Sequence, residues 1–167
     1  MKNTVSADRL RELFRYDPST GVFLNRKGRV MGSTHSGGYL VSWIDGKLYF
    51  NHRLAFLYMH GEFPTQGVDH INGNKTDNRI ENLRVATKIE NGQNRKWPSK
   101  ANTSGYLGVS FHKQRKKWSA RITADNAYKS LGLFDTKEAA HEAYIQAKKI
   151  FHPFYSPVTT TSGAPKQ

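Results

Sequence analysis

Apolar and polar positions alternate in short runs along this 167-residue chain. Ser6 precedes Leu10, Leu13 and Phe14, which share a helical face, so the pattern predicts a short helix capped by Ser6 and running to residue 14. Asp17-Pro18-Ser19-Thr20-Gly21 reads as a turn. Strands are expected over residues 22–24, 39–44 and 47–50. Asp45-Gly46 joins the last two, since that dipeptide tolerates the positive φ of a two-residue hairpin turn. Residues 52–60 have the composition of a helix, stopped by Gly61 and Pro64. Further on, strands are expected over 68–71 and 82–86, and Thr87-x-x-Glu90 forms a capping box for a following helix. Residues 108–112, 117–123 and 128–134 read as three strands. A helix opened by the Asp135-x-x-Glu138 pattern follows, with Ala139, Ala143, Ala147 and Phe151 as its stripe and Ala140, Tyr144 and Ile150 filling it. The class is α+β.

Composition divides the chain. Residues 1–87 carry 12 basic and 8 acidic side chains, and residues 88–167 carry 14 and 5, for a formal net charge of +13 overall. Such an excess points to a polyanionic partner. No apolar run approaches the ~18 residues a membrane span requires, and the N-terminus has no signal-peptide core, so the expected partner is nucleic acid and no membrane is involved. With no cysteine there is no disulfide framework, thiolate zinc site or cysteine nucleophile. The Pro-, Ser-, Asn- and Gly-rich stretch at 97–104 reads as a linker between domains at 1–96 and 105–155, and 156–167 as a disordered tail.

The stretch from Val68 to Asn91 carries the chemistry. It reads as a strand–loop–strand–helix unit in which Asp69 offers an anionic oxygen, Asn91 on the helix a neutral one, and His70 a base. Two oxygen ligands suit Mg²⁺, which keeps much of its hydration, and histidine titrates in the range needed to take a proton from water. Asn72-Gly73-Asn74 has turn chemistry. His60, His112, His141 and His152 belong to no ligand spacing.

This stretch resembles the HNH nuclease motif in its His-Asn-Asn form, and His52-Arg53-Leu54-Ala55 resembles the lead-in of phage and homing-type members. The resemblance covers residues 50–95. It implies a ββα-metal unit in which Asp69 and Asn91 hold one Mg²⁺ or Mn²⁺, His70 activates water and Asn82 holds the His70 ring. It also implies cleavage leaving 5′-phosphate and 3′-hydroxyl ends. Residues 102–155 resemble the ethylene-response-factor type DNA-binding domain, on Ser104-Gly105-Tyr106-Leu107-Gly108-Val109, Lys117-Trp118-Ser119-Ala120-Arg121-Ile122 and Leu131-Gly132-Leu133-Phe134-Asp135-Thr136. In that family the exposed face of a three-stranded antiparallel sheet, packed on one helix, enters the DNA major groove.

The expected protein is therefore a divalent-metal-dependent DNA endonuclease acting on double-stranded DNA, in the cytoplasm of a bacterial host if phage-encoded. The alternative is a non-catalytic DNA-binding regulator built on the same scaffold. DNA contacts are expected from Lys113, Arg115, Lys116, Lys117 and Arg121, and from His52 and Arg53. His52 equally suits closing the small core. Trp118 shares a face with Ala120 and Ile122, which favours the core, whereas the resemblance places it on DNA.

Overall fold

The computed structural model describes residues 4–157, which form two compact units meeting in sequence between Lys88 and Ile89. In the first, α1 (Ala7–Leu13) starts at Ser6, whose side chain accepts the Arg9 N–H at 3.1 Å. Phe14 leaves the helix and opens β1 (Phe14–Asp17), a strand the helical spacing had concealed. β1 pairs with β2 (Val22–Asn25), and β3 (Val30–Met31) completes a three-stranded sheet. β4 (Ser33–Thr34), β5 (Leu40–Ile44) and β6 (Lys47–Phe50) form a second sheet. Asp45 and Gly46 both take positive φ, 46° and 75°, as a right-twisted two-residue hairpin demands.

α2 (Asn51–His60) ends at Gly61 in the left-handed conformation. Asn51 ties the second sheet to this helix: its Oδ1 accepts the Ser42 hydroxyl at 2.8 Å. β7 (Gly67–His70) pairs antiparallel with β8 (Leu83–Ala86) after a loop and a 3₁₀ turn (Ile80–Asn82). Leu10, Phe23 and Leu54 form the fully buried centre, where each side chain contributes about 1.5–3 kcal/mol, and Tyr16 stacks on Phe23 at 4.6 Å.

In the second unit, α3 (Lys88–Gln93) precedes β9 (Val109–His112), β10 (Lys117–Ala124) and β11 (Ala127–Phe134), a sheet ordered β11-β10-β9. α4 (Lys137–Phe151) packs on it. Thr136 caps α4, accepting the Ala139 N–H at 3.1 Å, while Asp135 pairs with Lys117 at 3.0 Å. The cap expected from Asp135 is thus corrected by one residue. The stripe is corrected likewise: Ala140, Tyr144 and Ala147 are buried, and Ala139 and Ile150 are exposed. Gly108 approaches the Tyr144 ring so closely that an added Cβ would sit 2.1 Å from it.

The boundary between units also lies earlier than the expected linker. Asn94 Oδ1 accepts the Ser156 N–H at 3.2 Å, and Lys148 donates to the Arg95 carbonyl, so residues 94–96 belong to the second unit. Ser156 is accordingly anchored, and the remainder of the expected tail from residue 158 lies outside the described residues. Among the described residues no helix is long and apolar enough to cross a membrane.

Candidate active site

The loop between β7 and β8 is built from side chains that bond to nearby backbone. Asn72 Oδ1 accepts the Asn74 N–H at 2.8 Å, and Asn74 Oδ1 accepts the Thr76 N–H at 3.1 Å. Gly73, at φ 77°, lets the chain reverse. Asp77 is gripped by Arg79 through two bonds of 2.8 Å and by Asn72 Nδ2 at 2.7 Å, which hold its carboxyl below the usual range, Arg79 being the larger cause. Asn82 closes the loop: its Oδ1 accepts the Asn72 N–H at 3.0 Å and its Nδ2 donates to the Asp77 carbonyl at 2.8 Å.

This rigid loop is docked on the β1–β2 turn. The Tyr16 hydroxyl donates to the Asn78 carbonyl at 2.7 Å, and the Ile80 N–H to the Pro18 carbonyl at 3.2 Å. Gly21 comes so near that an added Cβ would lie 2.4 Å from the Arg79 nitrogen. Asn78 is thereby buried, with its Oδ1 3.2 Å from His70 Nε2. With that amide oxygen as acceptor, a proton on His70 Nε2 would leave Nδ1 as the basic nitrogen. The expectation that Asn82 holds the ring is corrected in this respect: Asn82 bonds to the loop backbone, and Asn78 supplies the oxygen on the ring.

His70 is 4% exposed, and burial pulls its pKa below the ordinary value; the Asn78 bond and the Asp69 charge work against that pull. Asp69 is also buried. It stands opposite Arg84 in the β7–β8 register, and its Oδ2 accepts from Arg84 Nε at 3.0 Å and Nη2 at 2.8 Å. Asn91, the other expected metal ligand, lies exposed on α3, in the second unit. Among the described residues no group of three or more His, Cys, Asp or Glu could hold a metal ion. Asp69 offers a carboxylate and Asn91 an amide oxygen, hard donors of the kind that hold divalent cations.

His52 is buried rather than open to a phosphate. It stacks on Phe50 at 5.4 Å, meets the His70 ring edge-on at 5.1 Å, and burial is the first cause pushing its pKa down to about 3. Arg53 is likewise corrected: its guanidinium donates to the Gln66 and Pro64 carbonyls, both at 3.1 Å, and lies over Phe63. Tyr39 packs against both histidines, at 5.2 Å from His52 and 5.9 Å from His70.

On the second unit, Lys113, Arg115 and Lys116 are exposed in the β9–β10 turn, and Arg121 is exposed on β10 with Nη2 3.4 Å from the Ser110 hydroxyl. Lys117 is half-buried in its pair with Asp135. Trp118 sits on the core side, half-buried against Val109, Ala120 and Ala140, which corrects its placement on the DNA-facing side. Sequence reasoning missed Asn78, Arg84, Tyr39 and Lys75. Asn78 had a signal in its position beside Asp77 within the Asn-rich loop, and Arg84 in its register opposite Asp69.

Two family models match the chain, and the first runs past the boundary between the units. Residues 49–93 match the family model for HNH endonuclease, and residues 104–151 that for the AP2 domain. Protein 3.8 of Escherichia phage T7 is 34% identical over 87 residues, which are 52% of this chain and 71% of that protein. An uncharacterized HNH endonuclease of Acanthamoeba polyphaga mimivirus is 30% identical over 122 residues, 72% of this chain and 62% of its own length. Among solved structures, the HNH homing endonuclease I-HmuI superposes with a TM-score of 0.43 at 24% identity, over 78% of this chain and 76% of that one.

Proposed function

We infer, for a chain that belongs to the HNH endonuclease family and carries an AP2 domain behind the nuclease motif, that His70 is the general base of a metal-dependent hydrolysis of duplex DNA. The nuclease role and the DNA partner come with the family; the base, the metal ligands and the mode of cutting are our reading. The observation that carries it is a buried histidine, adjacent in sequence to a buried carboxylate, whose Nε2 lies 3.2 Å from Asn78 Oδ1. With the proton on that side, Nδ1 is the nitrogen that takes a proton from the attacking water.

Asp69 and Asn91 are assigned as the ligands of one Mg²⁺ or Mn²⁺, Asp69 from its chemistry and burial and Asn91 from the motif's spacing. When bound, such an ion stabilises charge on the phosphoryl group and the leaving 3′-oxygen. Arg84 holds one oxygen of the Asp69 carboxylate, Oδ2, through its Nε and Nη2. Tyr39 and His52 pack on the ring of the base, and Phe50 packs behind both of them. One such site per chain cuts one strand per encounter, so a monomer nicks, leaving 5′-phosphate and 3′-hydroxyl ends. The exposed Lys113, Arg115, Lys116 and Arg121 supply phosphate contacts from the AP2 domain, whose basic excess is the larger of the two halves. If the chain is phage-encoded, as one relative is, the setting is the cytoplasm of an infected bacterium.

The test is a supercoiled-plasmid assay with Mg²⁺ or with EDTA, on wild-type protein and His70→Ala. Nicked circles should appear only with metal, and the variant should lose about 10²–10⁴-fold in rate while retaining DNA binding. Cutting by His70→Ala at the wild-type rate would remove His70 from the chemistry. Metal-free cutting would remove the cation. DNA binding without cutting by either protein would favour the regulator.

A further inference from the structure

Lys75 is an exposed residue of the β7–β8 loop, yet it is held at two points. Its Nζ donates to the Gly37 carbonyl at 2.8 Å and lies 4.8 Å from the centre of the Tyr39 ring. A solvent-facing lysine gains little from giving up its rotamer freedom, so a double restraint marks a position where a fixed cation has a use. The same Tyr39 ring packs against His70 at 5.9 Å. One aromatic side chain therefore carries the ammonium and braces the base. The other nearby charges are matched, Asp69 by Arg84 and Asp77 by Arg79. Among the described residues Lys75 has no carboxylate partner, and two of its three N–H groups lie beyond the Gly37 bond.

We propose that Lys75 is a substrate-contacting residue of the nuclease: its ammonium, fixed by Gly37 and Tyr39, binds a non-bridging oxygen of the phosphate that faces His70. The assignment rests on the nuclease reading above. In the hydrolysis, the water oxygen bonds to phosphorus as its proton passes to His70. The bond to the 3′-oxygen breaks, and that oxygen takes a proton from solvent. Between those events the non-bridging oxygens carry extra negative charge, and a cation already in place stabilises it without reorganising. A lysine suits this role as a point charge.

Two measurements on the full chain test the proposal. In EDTA, where no cutting occurs, duplex affinity is followed against salt for wild type and for Lys75→Met and Lys75→Arg. One lost phosphate contact should lower the slope of log affinity against log salt by about 0.9 in Lys75→Met and leave Lys75→Arg near wild type. With Mg²⁺ and saturating protein, Lys75→Met should cut about 10²–10³-fold more slowly, with Lys75→Arg restoring most of the rate. Melting curves confirm that both variants fold. An unchanged salt slope overturns the proposal whatever the cutting rate. A lowered slope with an unchanged saturated rate also overturns it, because the contact then lies away from the reacting phosphate. If wild type itself does not cut while the slope falls, the nuclease reading fails and the phosphate contact stands.

Discussion

Asn78→Ala removes the amide oxygen that faces His70 Nε2, 3.2 Å away, in a place where neither residue is more than 4% exposed. A buried donor that loses its acceptor costs about 1–3 kcal/mol. If the whole penalty falls on orienting the base, at about 1.4 kcal/mol per tenfold, the cleavage rate drops by roughly 5–150-fold. If it falls on the fold, the melting midpoint of a unit this size drops by about 4–8 °C for each kcal/mol. Single-turnover cleavage and a thermal melt on the same preparation separate the two. Asn78→Asp sharpens the test. A carboxylate facing the ring favours the imidazolium, so the acidic limb of the rate profile moves to higher pH. Asn82→Ala breaks the bonds to the Asn72 N–H and the Asp77 carbonyl, loosening the loop without touching the ring. It should lower the melting midpoint and leave the pH profile of the residual activity where it was. The reasoning is refuted if Asn82→Asp displaces the pH profile and Asn78→Asp does not.

Asp69→Asn should weaken Mn²⁺ binding more than Asn91→Ala, because it removes the anionic ligand, and raised Mn²⁺ should restore cutting better in Asn91→Ala; an unaltered metal dependence in both would take them off the ion. Gly21→Ala puts a Cβ 2.4 Å from the Arg79 nitrogen at a φ of +74°, so strain and overpacking together should cost about 2–5 kcal/mol. Its melt should fall by about 8 °C or more, at about 4–8 °C per kcal/mol, and cleavage with it; a midpoint within 2 °C of wild type would mean the turn does not bear on Asn78. Lys148 is buried against Tyr144 and Tyr155, and burial pushes its pKa down to about 8. Between about pH 8 and its ordinary value the folded lysine has released a proton that the unfolded chain still holds, so stability rises with pH there. The denaturant midpoint should climb from pH 7.5 to 9.5 in wild type and stay flat in Lys148→Met; parallel curves would show that the lysine remains charged in the fold.

The elements with strong local signals were legible. Ser6 caps its helix, Asp45-Gly46 makes its hairpin, and the three strands at 109–134 lie within a residue of their expected bounds. The failures share a cause, which is that tertiary contacts decided between locally equal options. Phe14 continues the helical face in sequence but enters a strand because β2 pairs with it. Ala139 and Ala140 are equally small, and only the sheet beneath α4 selects Ala140. Arg53 and Lys148 look like surface cations in sequence. One is neutralised by carbonyls of the Pro64–Gln66 segment, and the other is buried on a carbonyl and two tyrosines, partners that lie far along the chain or carry no charge to advertise them. The same holds in the loop after β7. Asn78 and Asn82 stand four positions apart in an Asn-rich stretch, and only the docked loop shows which amide meets the His70 ring.

That docking ties the β1–β2 hairpin, which lies ahead of the HNH match at 49–93, to the loop that carries Asn78. The loop from Ile71 to Arg79 contains no helix or strand, so within it Asn78 is held by side-chain bonds such as Asn72 to Asp77 and Arg79 to Asp77. Ordering it costs about 1–2 kcal/mol of backbone entropy per residue. The opposing contacts come from outside: the Tyr16 hydroxyl, the Pro18 carbonyl and the close face of Gly21, with Lys75 reaching to Gly37. A general base gains its rate only when held near its productive orientation. On the reading of His70 as the base, the residues ahead of the motif position it through this loop. A substitution in β1 or its turn should accordingly behave as a lesion of the site, lowering the maximal rate at saturating DNA, and one at the AP2 turn as a lesion of binding.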